Sequence, residues 1–155
     1  MPEIERVNII TFSELDIEIT NCRIANELPM VMRDLNAKIE KTEDGVQHLS
    51  PNGKLLLDII KKHELDVCNF NTRCTGKWTH VVRTSGNKSV LDYLITSHEV
   101  TRLLVEMRID EDCVFCPFWV RKKKGTPEPQ YSDHNSIVAK FTIPHQKREI
   151  PKKSS

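Results

Sequence analysis

The chain has 155 residues, room for one domain or for a piece of a larger one, and not for two independent cores. Hydrophobic residues make up 38% and charged residues 29%, which is too apolar and too evenly signed for a disordered chain. The net charge of +1 argues neither for nor against a nucleic-acid or membrane partner, but it is unevenly spread: residues 1–50 hold ten acids and five bases, the other 105 twelve acids and eighteen bases.

No stretch approaches the roughly 18 apolar residues of a membrane span. Met1-Pro2-Glu3-Ile4-Glu5 lacks a basic segment followed by an apolar one, so an intracellular protein, nuclear or cytoplasmic, is expected, with no membrane partner. Cys22, Cys68, Cys74, Cys113 and Cys116 are odd in number without a secretory signal, which reads as reduced thiols rather than a disulfide framework.

Thr11-Phe12-Ser13-Glu14 has the capping-box form, and Phe12, Leu15, Ile19 and Cys22 follow at near-helical spacing, so a first helix is expected over 12–26, stopped by Pro29. Met30-Val31-Met32 reads as a short buried strand ending at Arg33-Asp34-Leu35-Asn36. Ser50-Pro51 is an N-cap and N1 pair, and Leu55, Leu56, Ile59 and Ile60 give the apolar face of a second helix to about Glu64. Strand character follows at Asp66–Phe70, Trp78–Arg83, Val90–Ile95, Leu103–Ile109 and Ser136–Ile143, with a hairpin turn at Ser85-Gly86-Asn87-Lys88. Residues 121–130 read as a basic loop punctuated by Gly and Pro, and residues 144–155 as a basic, polar tail. This order predicts an α/β or α+β layered fold with mainly antiparallel pairing late in the chain.

Three polar clusters stand at strand edges, where scaffolds present chemistry: Asp34 with Asn36, Asp92, and Ser132-Asp133-His134-Asn135. Asp92 is flanked by Val90, Leu91, Tyr93, Leu94 and Ile95, and a carboxylate in such a run is costly unless paired. His134 is a natural partner. An Asp that holds a His by one ring nitrogen leaves the other free to act on a proton or a phosphate oxygen, while Asp34 and Asp133 offer hard oxygen ligands or a base for water. Asn36 can donate to a developing charge. Together these groups suit metal-assisted phosphodiester hydrolysis. Singly they have plainer readings: an Asx turn at Asp34-Leu35-Asn36, a water-facing strand residue at Asp92, a structural His134.

The ordered set Arg33-Asp34-Leu35-Asn36, Leu91-Asp92-Tyr93 and Ser132-Asp133-His134 resembles the late motifs of the endonuclease/exonuclease/phosphatase family, which read Gly-Asp-x-Asn, a Leu-Asp-Tyr-like strand, and Ser-Asp-His. Asp34-Leu35-Asn36-Ala37-Lys38-Ile39, Asn52-Gly53-Lys54-Leu55-Leu56, Thr75-Gly76-Lys77-Trp78-Thr79, Lys88-Ser89-Val90-Leu91-Asp92-Tyr93 and Tyr131-Ser132-Asp133-His134-Asn135 are closer still to the endonuclease domains that accompany reverse transcriptases in non-LTR retrotransposons, and to their domesticated relatives. The similarity spans about 12–143.

The resemblance implies a partial domain over 1–143: the C-terminal half of a four-layer α/β/β/α sandwich, holding one mainly antiparallel sheet with flanking helices. It implies Mg²⁺ or Mn²⁺ as cofactor and DNA as partner. Asp34 would orient or deprotonate the attacking water, Asn36 would stabilise the transition state, Asp92 would orient His134, His134 would contact the scissile phosphate, and Asp133 with Asp34 would hold the metal. Lys77, Trp78 and the run Arg121-Lys122-Lys123-Lys124 would bind substrate, against the plainer readings of a core Trp and a solvated loop.

Two departures qualify this picture. Arg33 stands where the family has glycine, and no segment before Asp34 matches the family's early Asn or its metal-binding Glu, since Glu14, Glu18 and Glu27 belong to the first helix. A sheet face is then expected to take its cover from another chain or from a second copy. The reading of a different class is an inactive remnant that acts as a nucleic-acid-binding or interaction module. Cys113-Val114-Phe115-Cys116 has zinc-like spacing, but the gap between Cys68 and Cys74 fits a second ligand pair poorly, which leaves buried free thiols as the expectation.

Overall fold

The computed structural model describes residues 3–41, 47–82, 84–114, 118–123 and 126–143. In chain order the elements are α1 (Glu3–Ile24), β1 (Met30–Asp34), β2 (Ile39–Lys41), β3 (Gln47–Leu49), α2 (Pro51–Lys62), β4 (Leu65–Val67), a 3₁₀ turn (Cys68–Phe70), β5 (Cys74–Thr75), β6 (His80–Val81), β7 (Lys88–Ser89), β8 (Asp92–Ser97), α3 (His98–Leu103), β9 (Leu104–Ile109), β10 (Phe118–Lys123), β11 (Thr126–Tyr131) and β12 (Ile137–Phe141). The fold is mixed α/β. Among the described residues no helix is long and apolar enough to cross a membrane.

The first helix starts well before Thr11, so the capping-box sequence lies inside it. It ends at Asn26, whose φ of 59° places it in the left-handed region. The Asn26 amide donates to the Arg23 carbonyl at 3.1 Å and the Glu27 amide to the Cys22 carbonyl at 2.8 Å, a Schellman closure completed ahead of Pro29. The second helix begins as expected, with Ser50 Oγ accepting from the Gly53 amide at 3.0 Å.

Strand β8 is the axis of the structure. It pairs antiparallel with β1 on one side and β4 on the other, forming a sheet of order β1-β8-β4. Successive strand residues face opposite ways, and β8 uses both faces. Tyr93 and Ile95 join a core with Phe12 and Ile19 of α1 and Leu56 and Ile59 of α2. Leu94 joins a second core with Cys68, Leu104, Met107 and Ile109. The second core belongs to a sheet of order β12-β9-β5, antiparallel between β9 and β12 and parallel between β5 and β9. Burial on both faces is why Tyr93, Leu94 and Ile95 follow one another in β8 without an alternating polar residue.

The single, mainly antiparallel sheet expected from the resemblance is therefore divided. Two three-stranded sheets and the ribbons β2-β3, β6-β7 and β10-β11 make up the described strands. The division occurs at Ser97, which caps α3 by accepting from the Val100 amide at 3.4 Å and turns the chain out of the first sheet before β9 begins the second. Met30 and Met32 are not buried either: they are 57% and 55% exposed. They share parity with Leu94, on the face away from the helices, and β1 is the edge of its sheet among the described residues.

Other strands are shorter than their apolar runs. Asp66–Phe70 becomes β4 and the 3₁₀ turn, and Trp78–Arg83 contributes only His80–Val81, with Arg83 outside the described residues. The turn after β6 is a hairpin, as expected, with Gly86 at φ 71° and the Val82 amide donating to the Asn87 carbonyl at 2.8 Å. Residues 121–130 are not a loop. Phe118 pairs with Tyr131 and Lys123 with Thr126 in a ribbon. Pro127 and Pro129 occupy alternate positions of β11, where a two-stranded ribbon leaves outward-facing nitrogens with no partner to lose. Lys124, Cys116 and the tail 144–155 lie outside the described residues.

Candidate active site

The register of the first sheet places Asp34 directly opposite Asp92. Two carboxylates facing each other across a strand pair repel, and His134 lies between them. Its Nδ1 is 2.8 Å from Asp92 Oδ2 and its Nε2 is 3.9 Å from Asp34 Oδ2. Asp133 Oδ1 is a further neighbour at 4.0 Å from the same Nε2. Four of the expected residues, from three segments distant in the chain, are thus brought to one place.

Each is held from behind. The buried Thr79 accepts at Oγ1 from the Leu91 amide at 2.9 Å and the Asp92 amide at 3.0 Å. The Asn69 amide group donates to the Asp92 carbonyl at 3.0 Å and its oxygen accepts from the Leu94 amide at 3.0 Å. The backbone around Asp92 is therefore fixed by side chains on both sides. His134 is placed by an antiparallel bridge to His80, flanked by hydrogen bonds from the Val81 amide to the Asp133 carbonyl at 2.9 Å and from the Asn135 amide to the Thr79 carbonyl at 2.7 Å.

Asp34 opens a tight turn. The Asn36 amide donates to Asp34 Oδ1 at 2.8 Å, and Asn36 has a φ of 44°. The Asx-turn reading of this tripeptide and the site reading thus hold together, since one carboxylate oxygen closes the turn while the other faces His134. The start of α2 grips the same turn: Asn52 Nδ2 donates to the Asn36 carbonyl at 3.0 Å and Ser50 Oγ accepts from the Lys38 amide at 3.0 Å. Gly53 is required there, because a Cβ would collide with the Lys38 carbonyl oxygen. The buried Tyr93 completes the clamp, its hydroxyl lying 2.9 Å from the Ala37 carbonyl and accepting from the Ile39 amide at 3.3 Å. Arg33 sits in β1 outside the left-handed region, so the place of the family's glycine needs no special backbone freedom here.

The electrostatics follow from this crowding. Burial alone would lower the pKa of His134, but the hydrogen bond to Asp92 and the charges of Asp92, Asp34 and Asp133 outweigh it and hold the ring above its ordinary value. An imidazole ringed by three carboxylates is drawn toward its charged form, which suits contact with an anionic ligand.

The ligand atoms of Asp34, Asp92 and His134 lie within 4.8 Å of one another, as do those of His80, Asp133 and His134. Asp92 is committed to His134, whereas Asp34 and Asp133, with side chains 51% and 56% exposed, can each turn an oxygen toward a hard divalent ion. The donor set fits such an ion. No glutamate belongs to either cluster among the described residues.

The remaining expected residues are placed as follows. Trp78 packs against the first core, with Lys77 Nζ 4.4 Å from its ring centre. The Glu111 carboxylate accepts from the Lys77 and Trp78 amides, and the bond from Trp78 above all holds its pKa below the usual carboxylate range. Asn135 Nδ2 donates to the Trp78 carbonyl at 2.6 Å, which ties this segment to the His134 loop. Asn36 lies on the Asp34 turn. Arg121, Lys122 and Lys123 are on β10, and Lys124 falls outside the described residues. Cys68 is buried and Cys74 half-buried, and burial pushes both thiols up, while Cys113 is exposed rather than buried.

Sequence reasoning missed Thr79, Asn69 and His80. Asn69 carries no motif of its own, and Thr79 closes the segment Thr75-Gly76-Lys77-Trp78-Thr79 with no role assigned to it. His80 becomes visible once β6 is set against the 132–135 loop. No protein-family model matches the chain, and no curated protein matches it.

Proposed function

We propose that the chain hydrolyses phosphodiesters with a divalent metal, acting on DNA as an endonuclease of the endonuclease/exonuclease/phosphatase type, derived from a mobile element. The observation that carries this is the His134 ring, pinned by Asp92 at 2.8 Å with its other nitrogen open toward Asp34. Asp92 fixes the ring, and His134 Nε2 engages a phosphate oxygen. Asp34 orients or deprotonates the attacking water, Asn36 donates to the charge that develops on phosphorus oxygens, and Asp34 and Asp133 hold Mg²⁺ or Mn²⁺. When bound, the metal supplies Lewis-acid stabilisation of phosphoryl charge. Lys77, Trp78 and the basic run 121–124 meet the DNA backbone.

On this reading the chain is the C-terminal half of a four-layer α/β/β/α sandwich. The packing of α1 and α2 on one face of the β1-β8-β4 sheet supports it, as do the exposed Met30 and Met32 at the edge of that sheet. A partner chain or second copy covers that edge in a nuclear or cytoplasmic setting. Without a glutamate in either described cluster, activity of the chain alone is weak. The same observation favours the second reading, a nucleic-acid-binding or interaction module without turnover.

Nicking of supercoiled plasmid with Mg²⁺ or Mn²⁺ tests the choice. Metal-dependent nicking that disappears with EDTA and in His134→Ala is the expected result. A folded protein that binds DNA in a salt-sensitive manner but never nicks it, with binding indifferent to His134, overturns hydrolysis in favour of the module.

A further inference from the structure

His80 is absorbed by none of the roles above, yet its surroundings are built. Its ring stands edge-on to that of His134, with centres 5.0 Å apart. Its Nδ1 is 3.1 Å from Oγ of the buried Ser89, and its Nε2 is 3.3 Å from Asp133 Oδ2. His134 is arranged similarly, with Nδ1 held by Asp92 and Nε2 lying 3.9 Å from Asp34 and 4.0 Å from Asp133. Two imidazoles thus have their Nδ1 atoms engaged from behind and share Asp133 as a neighbour of their Nε2 atoms. Metal-binding histidines are oriented in just this way, by a hydrogen-bonded partner on the nitrogen that does not ligate.

The His80 to Asp133 contact is a long hydrogen bond at 3.3 Å, a separation that also suits two ligands of one ion. Two ligands on one tetrahedral zinc, each about 2.0–2.1 Å from the ion, stand about 3.3 Å apart. Asp133 Oδ1 and His134 Nε2 are 4.0 Å apart, a gap that rotation of the exposed Asp133 side chain shortens. The backbone beneath is fixed by the bridge and paired amide bonds between the two segments, so the donors arrive preassembled.

We propose that His80, His134 and Asp133 form a binding site for a divalent transition-metal ion, zinc above all, which shares Asp133 with the Mg²⁺ or Mn²⁺ ligand set and differs from it in its two imidazoles. Two imidazoles and one carboxylate suit zinc, whereas magnesium prefers oxygen ligands and keeps several waters. Three protein ligands leave a coordination position open. A regulatory consequence rests on the function proposed above: zinc takes the same Nε2 that engages the phosphate, so it opposes the reaction that Mg²⁺ or Mn²⁺ supports.

The test is titration of the intact chain with Zn²⁺ alone, followed calorimetrically. One ion per chain is expected, not displaced by excess Mg²⁺, with affinity falling at least about tenfold in His80→Gln. Because His80 is largely enclosed, the unsubstituted protein is also titrated with Co²⁺ while its ring protons are followed by NMR. His80 and His134 should shift together at low cobalt, with His63 and His98 unmoved. Equal zinc affinity in a folded His80→Gln variant, displacement by Mg²⁺, first effects at His98, or a thiolate-to-cobalt charge-transfer band from Cys113 each overturns the site. In the nicking assay, zinc should suppress Mg²⁺-supported cleavage at the occupancy where cobalt moves the rings. A protein that binds zinc but never nicks leaves the site standing and removes only the regulatory consequence.

Discussion

His63 meets Asp16 at 2.6 Å, and His134 meets Asp92 at 2.8 Å; the two pairs share a contact and differ in almost everything around it. Asp16 also takes Lys62 Nζ at 2.6 Å, so one carboxylate on α1 is shared by two basic groups at the end of α2. Charge there is balanced, and the His63 side chain is 8% exposed. At His134 the ratio is reversed: one ring is shared among Asp92, Asp34 and Asp133, and its second nitrogen is left open. A histidine held by an aspartate is therefore not by itself a sign of chemistry. An excess of carboxylates around an accessible ring nitrogen is what distinguishes the second region from a helix tie.

The contrast breaks most visibly in activity. His134→Ala and Asp92→Asn should each lower plasmid nicking by about 10²-fold or more, the scale of a lost acid–base or positioning group, whereas His63→Ala should leave the rate unchanged and lower the melting temperature. Thr79→Val comes next. It removes the acceptor for two amides at Asp92 without changing the side chain's shape, and should cost about 1–3 kcal/mol for each amide left buried and unpaired, read by urea unfolding.

Asp16→Asn should cost less, within about 1 kcal/mol, because the asparagine keeps an oxygen for His63 and the lost ion pair is with the exposed Lys62. Its pH dependence has a definite sign. The hydrogen bonds from Lys62 and then His63 hold the Asp16 carboxyl below its ordinary value of 3.8 against the opposing effect of burial. That stabilisation is complete above the unfolded value and is lost as pH falls through the lower folded one, so the variant should flatten acid unfolding in that window.

The finest measurement is the NMR titration of the His134 ring. Its midpoint should lie above the ordinary 6.5 and move down in Asp92→Asn. Because the folded pKa is raised, the stabilisation from this ring is present below the unfolded value and is lost as pH rises through the folded one.

Much of the site was legible because its residues sit at strand ends in short polar clusters. Asp34, Asp92, Asp133 and His134 were all named from the sequence, and the pairing of Asp92 with His134 followed from the cost of a lone carboxylate in an apolar run. Thr79, Asn69 and His80 were not legible, since their roles depend on which backbone amides and rings come to face them. The same limit governs the fold. The capped start of α2 is a local signal and was found, whereas the exposure of Met30 and Met32 depends on how far a second sheet reaches. The ribbon β10-β11 was hidden by its prolines and charges, which mimic a loop unless the outward nitrogens of a two-stranded ribbon are considered.

Helix ends fray more readily than any other part of a regular structure. Here the first turn of α2 is also the rear wall of the Asp34 turn, joined to it by Ser50, Asn52 and the bare Cα of Gly53. The opening of that helix turn and the loosening of Asp34 are consequently coupled. Any mutation that changes how often the helix end opens, however far it lies from His134, changes the fraction of time the carboxylate is in place.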